Sequence, residues 1–231
     1  MFGQLAYSEI LRTLIEEGFL FCRFLEETSV ESQKSICLRH DIDFSVSEAL
    51  KMAMLEYDAG VKATYFFMCS SNTYNLFSKT NFNMIQEIRR LGHDISLHFD
   101  PTVYEDIDYG FRLEKDTFEN FFKTKIGMVS IHRPGDFLKD NNRKFVGCRH
   151  TYEDDFIKKM VYISDSGGRN IFKKIFELSQ LQGGVRLHVL IHPIWWINTS
   201  SDPTATLNIW LKTQHDFLVE ETRRNCKTFQ G

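Results

Sequence analysis

The sequence predicts an α/β fold built on a mostly parallel sheet or barrel, and three observations predict it. Apolar, β-branched or aromatic runs alternate with amphipathic helical stretches along most of the 231 residues, the order that parallel strands with crossover helices require. Polar clusters close one strand after another: Asp41/Asp43, His98/Asp100, His132/Arg133, Asp165 and His192. In a closed parallel barrel the strand C-termini share one rim, so these clusters meet there. No linker rich in Pro, Gly or Ser and no internal repeat interrupts the pattern. Residues 1–231 therefore read as a single domain, with 1–34 as an N-terminal helix and strand extension and 202–231 as a C-terminal helix.

Taken in order, Ile10, Leu11, Leu14 and Ile15 at helical spacing predict a helix from about Tyr7 to Glu17, closed by Gly18. Gly18 to Phe24 is short and extended, and the next strand ends at Asp41–Asp43. Ser45-Val46-Ser47-Glu48 has the form of a capping box and opens a helix to Asp58, with Gly60 as its C-cap. Val61–Met68 is a strand by its β-branched and aromatic content. Ser70–Asn81 is polar and reads as loop, and a helix from Phe82 to Leu91 stops at Gly92 before the strand Asp94–His98. Tyr104–Lys123 is helical in its second half. Gly127–His132 is a strand stopped by Arg133-Pro134-Gly135, and Asp136–Tyr152 is irregular. Val161–Asp165 is a strand broken by Gly167-Gly168, followed by a helix over Ile171–Leu181. Val185–Ile191 is the last strand, ending in His192-Pro193, and Thr204–Arg224 closes the chain as a helix.

Composition excludes several classes. With 28 basic and 31 acidic side chains the net charge is −3, both signs interspersed and no basic run, so nothing points to nucleic acid. The five cysteines are odd in number, widely spaced and lack a C-x-x-C, which reads as reduced thiols. No apolar stretch approaches the length of a membrane span, and the N-terminus has neither a basic nor a long apolar region, so the expected location is the cytoplasm.

The chemistry centres on Leu38-Arg39-His40-Asp41-Ile42-Asp43. On an extended chain Arg39, Asp41 and Asp43 share a face, and two carboxylates side by side repel. A cation must offset that repulsion: Arg39, a metal ion, or a proton on a raised carboxyl. Two aspartates with one or two imidazoles suit a borderline divalent ion such as Zn²⁺ with a position left for water. Such an ion acidifies water and polarises a carbonyl oxygen, a carboxylate beside it takes the proton, and a histidine across the site protonates a departing amine. The ingredients suit hydrolysis of an amide or ester.

From about Ser35 to Trp196 the chain resembles the polysaccharide deacetylase family (NodB-homology, carbohydrate esterase 4-like), whose fold is a distorted (β/α) barrel. Arg39-His40-Asp41-Ile42-Asp43 resembles its first motif, and Ala63-Thr64-Tyr65-Phe66 its second strand. Gly92-His93-Asp94-Ile95-Ser96-Leu97-His98 resembles the approach to its first metal histidine, Arg133-Pro134 its third motif, and Val189-Leu190-Ile191-His192 its L-x-L-H motif. Asp165-Ser166-Gly167-Gly168 stands where the fourth falls. The resemblance implies Asp41 as general base, Asp43 and His98 as metal ligands, Arg133 as the group that orients Asp41, and His192 as general acid. It implies Trp195 and Trp196, with Asp165, as a sugar-binding wall, since aromatic faces suit sugar rings. Capping the barrel is the plainer role for the two tryptophans, and fixing the Ser166-Gly167-Gly168 turn the plainer one for Asp165.

The chain departs from the family at Thr102, where a second metal histidine usually stands. His132, Asp100 or a water is left to complete the ion's shell. His40 reads as a packing residue or a hydrogen-bond donor behind the site, His93 as a structural turn residue and His188 as a buried hydrogen-bonded residue, and His150 and His215 have no assigned role. The function expected is a metal-dependent N-deacylase of an amidosugar, on a cytosolic precursor of surface polysaccharide. The alternatives are a NodB-like carbohydrate-binding or scaffold domain without catalysis, and a hydrolase of another C–N bond.

Overall fold

The strand carrying the first motif is the centre of the molecule. In the computed structural model, which describes all residues except 1, 26–32, 140–142, 199 and 201, strand β2 (Ser35–Ile42) is buried along its whole length. A strand covered on both faces is what a parallel sheet with helices outside and a filled interior demands. The other strands are β1 (Leu20–Phe21), β3 (Thr64–Phe67), β4 (Asp94–Phe99), β5 (Met128–Ile131), β6 (Arg149–His150), β7 (Val161–Ser164) and β8 (Arg186–Ile191). These strands pair in parallel throughout, and the spatial order is β6-β5-β4-β3-β2-β8-β7. Read from β2 this is β2 through β6 on one side and β8, β7 on the other, a sequential barrel with its seam between β6 and β7. The fold is a distorted (β/α) barrel.

β1 pairs with Ser35 and Ile36 at the start of β2, and β3 takes over from Arg39. The helices are α1 (Gln4–Glu16), α2 (Val46–Asp58), α3 (Lys79–Arg90), α4 (Ile107–Phe122), α5 (Asp154–Ile157), α6 (Phe172–Ser179), α7 (Pro193–Ile197) and α8 (Pro203–Asn225). Outward side chains of the strands, such as Ile36, Leu38, Ile42, Val129 and Val189, join Ala49, Met52 and Ala53 of α2 and Ile10 and Leu11 of α1 in the main core. Alternate side chains point inward, and at the barrel floor Cys37, Phe66 and Met128 pack with Phe24, Phe156 and Met160. This apolar plug fills the lower interior, so the inward polar residues above it rise toward the rim.

Several boundaries differ from the sequence reading. Ser45 does precede α2, but its side chain makes no cap bond to the backbone; its hydroxyl lies 3.4 Å from that of Ser47, which donates to Glu48 instead. α3 starts earlier than Phe82 because Ser78 accepts from the Asn81 amide. α4 starts at Ile107 behind the Asp106 cap. The stretch read as irregular contains β6, which pairs with β5. A short helix, α7, follows His192 directly, with Pro193 in its first turn.

On the outer face of β2, His40 belongs to a buried network around Glu56 of α2. Its Nε2 lies 2.6 Å from Glu56 Oε1 and its Nδ1 3.0 Å from the Ile191 carbonyl. Tyr7 and Tyr65 both donate to the same carboxylate. Burial pushes Glu56 up, but the His40 and His93 imidazoles and the Tyr65 hydroxyl outweigh it and hold the carboxyl low. His93 Nε2 lies 3.0 Å from the Ala53 carbonyl and its Nδ1 accepts from the Ala63 amide, so both histidines are structural, and the pin around Glu56 ties α1, α2, β2 and β3 together.

Candidate active site

The inward residues of β2 climb from Cys37 through Arg39 and Asp41 to Asp43, one every second position. Arg39 is fully buried and is the cation the acidic pair required. Its Nε donates to Asp41 Oδ1 at 2.8 Å and its Nη2 to Asp41 Oδ2 at 2.6 Å, a bidentate pair within one strand. The Tyr152 ring lies against the guanidinium, 5.0 Å from centroid to carbon. Burial alone would raise the Asp41 carboxyl, but Arg39 overrides it and holds Asp41 at about 2.

Three further strand ends converge on Asp43. Its Oδ1 lies 3.2 Å from His98 Nε2 on β4 and 3.5 Å from His132 Nδ1 after β5, and its Oδ2 3.7 Å from His192 Nε2 after β8. His98 Nε2 and His132 Nδ1 are 3.1 Å apart. One ligand atom from each of Asp43, His98 and His132 falls within 4.8 Å of the others. Asp43 Oδ1 is buried without a hydrogen-bond partner, an arrangement that costs free energy unless a cation joins it. A carboxylate with two imidazoles is a donor set for a divalent transition ion, so these residues fit one.

His132 is inward because β5 keeps its alternation. Met128 and Ser130 face the interior, and the His132 amide continues the ladder to the Phe99 carbonyl. Asp100 does not join the three; its Oδ1 caps the turn at Thr102. Arg133, expected to orient Asp41, points elsewhere. Its side chain is 71% exposed and its nearest acid is Asp100 at 4.0 Å, and its backbone has a left-handed φ of 46° ahead of Pro134. The duty expected of Arg133 is carried by Arg39.

His192 is fixed from behind. Its Nδ1 lies 2.6 Å from Asp165 Oδ1, and its own amide donates to both Asp165 oxygens at 3.0 and 3.1 Å. Trp196 Nε1 donates to Asp165 Oδ2 at 2.7 Å. Burial works to lower the imidazole, but the adjacent Asp165 carboxylate overrides it and raises His192 to about 9. Asp165 and Trp196, expected to touch a sugar, are fully buried behind His192 and do not line the cleft, whereas Trp195 does. The Ser166-Gly167-Gly168 turn is held by the Asp165 backbone carbonyl, not by its side chain.

Above Asp41, Asp43, His98, His132 and His192 lies a cleft of about 730 Å³. Its walls include the apolar side chains of Phe44, Leu190 and Trp195, with Leu207 and Leu211 from α8. Ser130 was missed in the sequence, although it stands two residues before His132 and so shares its inward face. The part played by α8 left no signal in its composition.

No protein-family model matches the sequence, and no curated protein matches it either. Solved structures are similar to it at low identity. A CE4 family pseudoenzyme from Bacillus anthracis shares 14% identity over 80% of this chain, with a TM-score of 0.46; the chain spans 62% of that protein's length. The chitin deacetylase of the fungal pathogen Colletotrichum lindemuthianum shares 14% over 85% of this chain and 86% of its own, with a TM-score of 0.42. The peptidoglycan deacetylase PdaC from Bacillus subtilis shares 16% over 85% of this chain and 99% of its own, with a TM-score of 0.47. These three, a CE4 family pseudoenzyme and two deacetylases, are among the solved structures to which the chain is similar.

Proposed function

We propose that this protein is a metal-dependent hydrolase that removes an N-acyl group from an amidosugar. The observation that carries the reading is the convergence of an ionised Asp41, the Asp43–His98–His132 cluster and the Asp165-backed His192 on the floor of one cleft. Asp43, His98 and His132 would hold the ion, and zinc leads on donor chemistry. When bound there, a divalent cation acidifies water and polarises the acyl oxygen, which a base as weak as Asp41 requires.

Asp41 receives the proton of the attacking water, and Arg39 and Ser130 hold its carboxylate in place for that transfer. His192, raised to about 9, carries a proton at neutral pH. Asp165 takes up its Nδ1–H, so Nε2–H faces the cleft and can protonate the departing amine as the C–N bond breaks. Trp195 and Phe44 offer apolar faces to a sugar ring.

The substrate proposed is a nucleotide-linked or lipid-linked precursor of surface polysaccharide, handled in the cytoplasm. Arg133 supports this as an exposed cation on the cleft wall, suited to an anionic linker. No helix among the described residues is long and apolar enough to cross a membrane.

The test is metal content by elemental analysis of the purified protein and of an Asp43→Ala, His98→Ala double variant, followed by release of acyl groups from N-acyl sugars. Close to one equivalent of metal, lost in the variant, with acyl release from the loaded protein, supports the reading. A folded wild-type chain that takes up no added zinc refutes it.

A further inference from the structure

Ser130 is wholly buried, and its single hydroxyl meets three groups at once. Arg39 Nη2 lies 2.7 Å from its Oγ, Asp41 Oδ1 2.8 Å and His98 Nδ1 2.7 Å. A serine hydroxyl has one proton to give and two lone pairs to offer. The guanidinium can only donate, so one lone pair is taken. Asp41 is a carboxylate and can only accept, so the proton goes to Oδ1; any other assignment sets two lone pairs against each other at 2.8 Å. The second lone pair is then left for His98 Nδ1, which must donate. This arrangement satisfies all three partners and leaves no freedom to the ring.

The consequence lies on the other edge of the imidazole. With Nδ1 protonated, a neutral His98 carries a bare lone pair on Nε2, aimed at His132 Nδ1 and the unpartnered Asp43 Oδ1. Three donor atoms in one place call for a cation. We infer that Ser130 is the positioning residue that fixes His98 as its Nδ1–H tautomer and so presents Nε2 to the ion held with Asp43 and His132. This rests on the metal-site reading above. It also means that one hydroxyl joins the carboxylate that takes the proton to the histidine that holds the ion, so the two cannot shift independently.

Two measurements test it. Long-range ¹H–¹⁵N correlation spectra of the metal-free protein, assigned by difference from His98→Gln, report which His98 nitrogen carries the proton. A proton on Nδ1 is expected, and an Nδ1 that carries none overturns the inference. Zinc affinity, measured by competition with a chromophoric chelator, is compared between wild type and Ser130→Ala, with a circular dichroism melt confirming that both are folded. Loss of an outer hydrogen bond to a metal histidine weakens binding about 10–100-fold, and that loss is expected for Ser130→Ala. Ser130→Thr, which keeps the hydroxyl, recovers most of it. Zinc bound equally by wild type and Ser130→Ala overturns the role of Ser130 while leaving the metal site standing. Zinc bound by neither overturns the metal reading itself.

Discussion

Exchanging the two arginines separates the roles of Arg39 and Arg133. Arg39→Met removes the bidentate partner of a carboxylate that is 3% exposed. Stripping one member from a buried ion pair costs about 3–5 kcal/mol, a large part of the total stability of an ordinary domain. Arg133→Ala removes a side chain that is 71% exposed and 4.0 Å from its nearest acid, so it changes stability by less than about 0.5 kcal/mol. The pH dependence sharpens the contrast. In the folded wild type Asp41 ionises near 2, against 3.8 ordinarily. A carboxyl depressed that far contributes about 2 kcal/mol of stability, present above pH 3.8 and lost as pH falls toward 2. Without Arg39, burial is opposed less and the Asp41 carboxyl rises, so this acid-side loss shrinks or reverses in Arg39→Met. Urea denaturation of the metal-free proteins between pH 2 and 7 measures both effects. If Arg133→Ala proves as damaging as Arg39→Met, or both variants keep the wild-type acid limb, the assignment of Arg39 is wrong.

Other outcomes are as definite. Asp165→Asn leaves His192 without its carboxylate, so the alkaline limb of kcat/KM, set by a group at about 9, moves toward neutral and the rate falls about 10²–10⁴-fold; an unmoved limb refutes the pairing. Arg133→Ala raises KM for a phosphate-linked sugar with kcat nearly unchanged, and equal kinetics on charged and uncharged substrates counts against the rim contact. Glu119, at the end of α4, is held at about 2 by the Ile126 amide together with Lys115 and Lys125, against the pull of burial. Glu119→Gln therefore loses stability above pH 4.5, and the difference shrinks as pH falls toward 2, read by thermal melts across pH. Chelating zinc from protein saturated at 100 times its Kd lowers stability by about 2.7 kcal/mol, and a melting curve indifferent to chelator speaks against the site.

Much of this was legible because periodicity and strand polarity are local. The alternation of Arg39, Asp41 and Asp43 on one face and the outward place of His40 follow from a two-residue repeat, and the polar residues at the ends of β2, β4, β5, β7 and β8 stand in the sequence beside their strands. Where the reading failed, the deciding contacts were long-range. Asp165 sits beside a Gly-Gly turn, and its partners, His192 and Trp196, lie 27 and 31 residues away; only the β7–β8 pairing brings them together. Ser45 had the residues of a capping box, yet its hydroxyl found Ser47. β6 is two residues long, too short for any period to register.

Strand parity decides which of His132 and Arg133 reaches the site. A strand presents alternate residues inward, and on β5 that parity belongs to Met128, Ser130 and His132. His132 therefore enters the site as an imidazole where Thr102 offers none, and Arg133, one position on, is carried out of reach of Asp41. A buried carboxylate that stays ionised is costly without a cation, and the cation that Asp41 uses comes from a position on its own inward face. On β2 the nearest such position is Arg39, two residues earlier. Placing a histidine at position 102 would not by itself make His132 dispensable to stability, because His132 also closes on Asp43 and His98. Moving an arginine to position 132 would remove an imidazole proposed to hold the ion while duplicating a charge that Arg39 already supplies. Thr102→His in the wild type is thus expected to leave zinc stoichiometry at one, whereas His132→Arg loses the metal. A His132→Arg, Thr102→His double variant regains metal only if the introduced guanidinium and that of Arg39 can share the interior. Their like charges above an apolar plug oppose that, so the double variant is expected to bind zinc more weakly than wild type, and recovery of full affinity would show that parity on β5 does not dictate the ligand set.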